Sequence, residues 1–71
     1  MYRAYDIMIQ AEDRGKGDKI LYEHLSDIVD IRTEGRKDTD GSDKVIYWIV
    51  LYDSCDFEVI LNKFKQANIL V

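Results

Sequence analysis

Seventy-one residues make a single domain, 1–71, with no room for a second. Fourteen acidic residues against ten basic ones give a net charge of −4, interspersed along the chain, which disfavours non-specific attraction to nucleic acid or to an anionic membrane. The single cysteine, Cys55, excludes an internal disulfide and leaves no Cys/His set for a structural zinc.

Residues 3 to 11 alternate, with Tyr5, Ile7, Ile9 and Ala11 on one face and Asp6, Met8 and Gln10 on the other. That period of two predicts a first strand with one apolar face. The stretch Glu12 to Gly17 holds two glycines and four charges, which is loop chemistry. Asp18 then stands where a helix cap belongs, and Ile20, Leu21, His24, Leu25 and Ile28 draw one helical stripe. From Val29 the period returns to two, predicting a half-exposed strand through Thr33, closed by Gly35 and charged enough to discourage edge pairing.

A polar turn over residues 37–43 leads into Val45-Ile46-Tyr47-Trp48-Ile49-Val50-Leu51-Tyr52, the most apolar run in the chain. It is too short to span a membrane, which needs about 20 apolar residues, and it suits a central strand covered on both faces. Ser54 or Asp53 can cap a last helix carrying Phe57, Ile60, Leu61, Phe64 and Ala67 on one stripe. Asp56 and Glu58 near its start and Lys63 and Lys65 near its end complement its dipole. Asn68 suits a left-handed stop, and Ile69 to Val71 suffice for a short fourth strand.

The predicted order is βαββαβ, an α+β arrangement that resembles the ferredoxin-like split βαβ topology. It implies a four-stranded sheet in the order 4-1-3-2 with both helices on one face and the first and third strands as parallel central neighbours. Ile7, Ile9, Leu21, Leu25, Ile49, Phe57, Ile60, Leu61 and Phe64 are the expected core. This topology hosts many unrelated activities and transfers none.

Four groups of residues could carry chemistry. Arg14, Lys16 and Lys19 flank two glycines before a helix and could hold an anion, but the spacing matches no phosphate-loop motif and acidic neighbours oppose it. Asp38, Asp40 and Asp43 fail the calcium-loop spacing and read as turn residues. A Cys55/His24 pair would need two distant elements to converge, and Cys55 is surrounded in sequence by carboxylates that oppose a thiolate. Asp6, in mid-strand, could serve a small nuclease but lacks an assignable partner carboxylate. No cofactor or metal is therefore expected.

The aromatic residues are more informative. Alternation sends Tyr47 and Trp48 to opposite faces of the sheet, so one apolar set looks away from the helices. With Met8 and Tyr52, it forms an exposed strip of the kind that marks interaction sites. The sequence therefore reads as a small acidic, non-enzymatic protein-interaction module, an inhibitor or modulator that uses its open sheet face or a sheet edge to bind another protein or a second copy of itself. Phages and mobile elements encode many chains of this kind, as phage proteins or their equivalents, and residues 1–71 read as a complete gene product without a signal peptide. One unpaired thiol suits the cytoplasm. A single-stranded RNA binder using the aromatic strip is the alternative, weakened by acidity and by a missing RNP1 pattern. A small nuclease or phosphate-binding enzyme comes third.

Overall fold

The computed structural model describes residues 2–71, so Met1, read above as the start of a gene product, lies outside the described residues. The chain forms β1 (Arg3–Gln10), a 3-10 turn (Ala11–Asp13), α1 (Arg14–Tyr22) and a second 3-10 turn (Leu25–Asp27). It continues as β2 (Ile28–Lys37), β3 (Asp43–Leu51) and α2 (Phe57–Gln66). The sheet has three strands in the order β1-β3-β2, antiparallel throughout. The apolar run thus occupies the centre, as its two apolar faces require.

The four-stranded split βαβ sheet does not form. Instead of a fourth strand there is one isolated bridge, Ile9 to Leu70, with the Val71 amide donating to the Met8 carbonyl at 3.2 Å. Asn68 turns left-handed (φ 58°) and Ile69 is buried at once, so the tail meets β1 at a point rather than along a ladder. Parallel pairing of β1 and β3 is also overturned. β3 returns from β2 through a tight hairpin and runs opposite to it. The α1 crossover leaves β1 and β2 running the same way, so a strand inserted between them opposes both.

Both helices pack on one face. Ile7 and Ile9 of β1 and Val45, Tyr47, Ile49 and Leu51 of β3 share one buried cluster with Ile20 and Leu21 of α1, Ile60 and Phe64 of α2, and Ile69. Each large apolar side chain so buried contributes about 1.5–3 kcal/mol before entropy is counted. Tyr5 adds a stacked ring on Phe57, with centroids 4.1 Å apart. The helical layer does not reach β2. Ile31, on its helix side, stays 38% exposed, and every residue from Val29 to Lys37 is open to solvent.

Helix α1 starts four residues before the cap expected at Asp18, continuing directly from the first 3-10 turn. Gly17 is the reason that this is compatible with packing. A Cβ there would come within 2.7 Å of the Tyr47 hydroxyl and 2.8 Å of Ile9 Cδ1, so the missing side chain lets α1 settle onto the sheet. The helix also ends earlier than its apolar stripe suggests, and Leu25 turns outward at 49% exposure instead of joining the core. In α2 the Asp56 carboxylate accepts from the Glu58 amide at 3.0 Å, an N-cap two to three residues later than Asp53 or Ser54. Its stripe is narrower than expected: Ile60 and Phe64 are fully buried, Phe57 and Leu61 only partly.

Candidate functional site

The pairing register decides which side chains occupy the face away from the helices. Across β1, β3 and β2 it aligns Ala4, Val50 and Asp30 in one row, then Asp6, Trp48 and Arg32, then Met8, Ile46 and Glu34, and finally Gln10, Lys44 and Arg36. Paired residues on neighbouring strands point to the same side. Trp48 sits at the middle of this face, 43% exposed although it belongs to the central strand. A shallow depression of about 310 Å³ lies beside it, lined by Ala4, Asp6, Asp30, Arg32 and Val50 among others. A second hollow continues past Trp48 along Arg32, Thr33 and Glu34.

Of the four expected interaction residues, the structure unites Met8 and Trp48 on this face, with Ile46 between Met8 and Glu34 in the ladder. Tyr52 lies just beyond the end of β3, half exposed, its ring edge-on to Tyr2 with centroids 5.6 Å apart. Tyr47 goes the other way. It is 1% exposed on the helix side, and its hydroxyl donates to Asp18 Oδ1 at 2.6 Å and lies 3.2 Å from the Arg14 carbonyl. Burial first, and then the hydrogen bond and charge of Asp18, raise its phenol pKa. Tyr47 is a core residue with a satisfied polar tip.

The cation trio does not form an anion loop. Arg14 and Lys16 lie in the first turns of α1 and Lys19 near its end, and the Arg14 guanidinium pairs with Asp18 at 3.6 Å. Gly17 is consumed by packing rather than by a phosphate approach.

The hairpin tip holds an ammonium in the place of a cation from solution. Lys44 is only 2% exposed, and its Nζ lies 3.6 Å from Asp38 and 3.7 Å from Asp40 and bonds to Ser42 Oγ. Asp40 also accepts from the Ser42 hydroxyl and amide, which with Lys44 hold its carboxyl below the ordinary range. Asp38 and Asp40 thus fold over the lysine, while Asp43 pairs with Lys37 at 3.8 Å.

Cys55 and His24 do converge, contrary to expectation. One ligand atom from each of His24, Asp27 and Cys55 lies within 4.8 Å of the others. Continuation of the ladder brings them together. The Tyr52 amide donates to the Asp27 carbonyl at 3.0 Å, and the Cys55 amide to the Tyr52 carbonyl at 3.0 Å. His24 Nδ1 is 3.2 Å from Asp27 Oδ2, while its buried Nε2 has no hydrogen-bond partner among the described residues. Three donors of three kinds could serve a metal that completes its shell from outside, yet the His24–Asp27 hydrogen bond together with the backbone bonds that place Cys55 accounts for the same closeness without an ion. Burial, then the charges of Asp27 and Asp56, push the Cys55 thiol up, which disfavours the thiolate. The sequence offers His24 and Cys55 but not Asp27, and no reason for them to meet, because nothing local ties residues so far apart.

Asp6 is exposed on the open face, and its row continues with Trp48 and Arg32, with no second carboxylate in it. Among the described residues no helix is long and apolar enough to cross a membrane. No family model matches the chain, and no curated protein or solved structure matches it.

Proposed function

We propose that this chain is a non-enzymatic protein-interaction module that presents the open face of its sheet to another protein. The observation that carries the reading is Trp48, half exposed at the centre of β3 between Ile46 and Val50 of its own strand, beside a depression bordered by Asp6, Asp30 and Arg32. A rigid indole in a small hollow with polar groups around it is the usual composition of an interface anchor and its rim. The charge on this face favours a protein over RNA. Its guanidiniums, Arg32 and Arg36, are matched by Asp6, Asp30 and Glu34, and Lys44 is already neutralised, so little positive charge remains for phosphate. A role as inhibitor or modulator, and a cytoplasmic setting suited to one free thiol, belong to the same reading.

The test compares wild type with Trp48→Glu in capture from native lysate of the source cells, alongside binding to single-stranded RNA across a salt series. A protein retained by wild type, lost with Trp48→Glu at unchanged circular dichroism, and re-bound by the purified pair supports the proposal. RNA binding that weakens steeply with salt would replace it with the alternative, because phosphate contacts release counterions.

A further inference from the structure

We infer that the free edge of β2 is a self-complementary interface, pairing antiparallel with β2 of a second copy about a two-fold axis through Thr33. This is a different surface from the Trp48 face, and it stands or falls separately from that proposal.

The backbone supplies the first part of the argument. The Asp38 amide donates to the Ser42 carbonyl at 2.9 Å, which fixes the phase of the hairpin ladder. Hydrogen-bonded and non-hydrogen-bonded pairs alternate along an antiparallel ladder. Counting back from Asp38, the even residues of β2 bond to β3, while Ile31, Thr33 and Gly35 turn their amides and carbonyls outward. The Ile31 amide agrees, since it finds only the carboxylate of its neighbour Asp30, at 2.9 Å. The whole edge is uncovered.

The side chains supply the second part. The open-face residues of β2 alternate in sign: Asp30, Arg32, Glu34, Arg36. Their present partners are loose contacts along the same strand, Arg32 to Asp30 at 3.9 Å and Arg36 to Glu34 at 3.8 Å, all well exposed. An antiparallel copy centred on Thr33 sets Asp30 opposite Arg36 of the second copy and Arg32 opposite its Glu34, with both pairs repeated by the two-fold. On the other face Thr33 meets Thr33, and Ile31 lies beside Gly35 of the second copy, where no side chain competes for space.

The register is specific. Moving the axis to Arg32 or to Glu34 keeps the outward amides facing one another but sets like charges opposite. Moving it a further residue leaves only two of the four ion pairs within the strand. Charges on an edge ordinarily prevent pairing. Here their alternation opposes the two adjacent registers and gives the Thr33 register the most ion pairs within the strand. The resulting six-stranded sheet would carry both copies of Trp48 on one continuous face.

Sedimentation equilibrium of the full chain at low salt tests this. Wild type is expected to dimerise. Glu34→Arg sets two arginine pairs in opposition and should raise the dissociation constant about tenfold or more, with no loss of thermal stability in the monomer. Arg32→Glu combined with Glu34→Arg restores complementarity, so this double variant should dimerise with itself as wild type does and fail to pair with wild type. Trp48→Glu should leave the dimer intact. A strictly monomeric wild type at millimolar concentration overturns the inference, and so does a dimer indifferent to Glu34→Arg. A dimer lost with Trp48→Glu and kept with Glu34→Arg would place self-association on the sheet face instead.

Discussion

The Tyr47 hydroxyl reaches Asp18 Oδ1 at 2.6 Å because the residue before Asp18 is a glycine. Gly17 brings α1 so close to β3 that any side chain there would collide with the phenol, and the same closeness lets a fully buried tyrosine find a charged acceptor in the helix. A helix-weakening residue is thereby matched to a sheet residue with a polar tip.

The two helical glycines should respond oppositely to alanine. At Gly15 nothing lies within 4 Å of the added Cβ, so Gly15→Ala should stabilise the domain by about 0.5–1 kcal/mol through helix propensity. At Gly17 the same gain is outweighed by contacts of 2.7 and 2.8 Å, and overpacking of that kind costs about 1–3 kcal/mol. Urea denaturation of both variants checks the pair of signs; stabilisation at both positions would show that α1 is not seated on Tyr47.

Tyr47 should also make the fold sensitive to alkali. Its pKa is raised in the folded state above the ordinary value of 10.0, mainly by burial, so the unfolded chain releases this proton first. The stability linked to it is complete below pH of about 10 and falls as pH rises beyond that toward the raised folded value. Tyr47→Phe removes this dependence while losing about 1–2 kcal/mol at neutral pH from the missing hydrogen bond. Unfolding free energies measured between pH of about 8 and 11 should therefore decline more steeply for wild type than for the variant.

Lys44 and its carboxylates should show the asymmetry of a buried charge. Asp38→Asn with Asp40→Asn strands an ammonium that is 2% exposed, so this double variant should be clearly less stable than wild type. Lys44→Met keeps the volume and leaves the two carboxylates at the solvent edge, so it should stay within about 1 kcal/mol of wild type. Chemical denaturation of the two variants decides this; equal losses would mean that the hairpin tip does not depend on the ammonium.

Phe64 and Leu61 stand next to each other on the predicted stripe of α2 but not in the core. Phe64 is 0% exposed and packs its ring against Tyr47 with centroids 6.3 Å apart, whereas Leu61 is only partly buried. Phe64→Ala should cost about 3–5 kcal/mol, enough to unfold a domain of this size, while Leu61→Ala should cost markedly less because part of its surface is already in water. Thermal melts of both variants measure the difference, and a larger loss at Leu61 would move the axis of α2.

The local alphabet determined much of this protein. The run from Val45 to Tyr52 is apolar on both alternating sets, so it belongs at the centre of a sheet, where both faces are covered or shared. The alternation of residues 3–11 and the stripe of Ile60 and Phe64 specify a strand and a helix, and Asn68 marks its left-handed end, because period and turn chemistry are properties of neighbouring residues. Strand direction is not such a property. The antiparallel seating of β3 between β1 and β2 follows from how the hairpin and the crossover combine in space, and the tail that could have paired as a fourth strand instead buries Ile69. The choice between Tyr47 and Trp48 as the outward aromatic was likewise open to local pattern, since both sets are apolar. The seat that Gly17 makes for the Tyr47 hydroxyl, from an element far away in sequence, turns Tyr47 inward and leaves Trp48 to the solvent. His24 and Cys55 meet for the same kind of reason: the ladder that ends at Asp27 and Tyr52 brings their loops to one place, and contacts between distant segments have no signature in either segment alone.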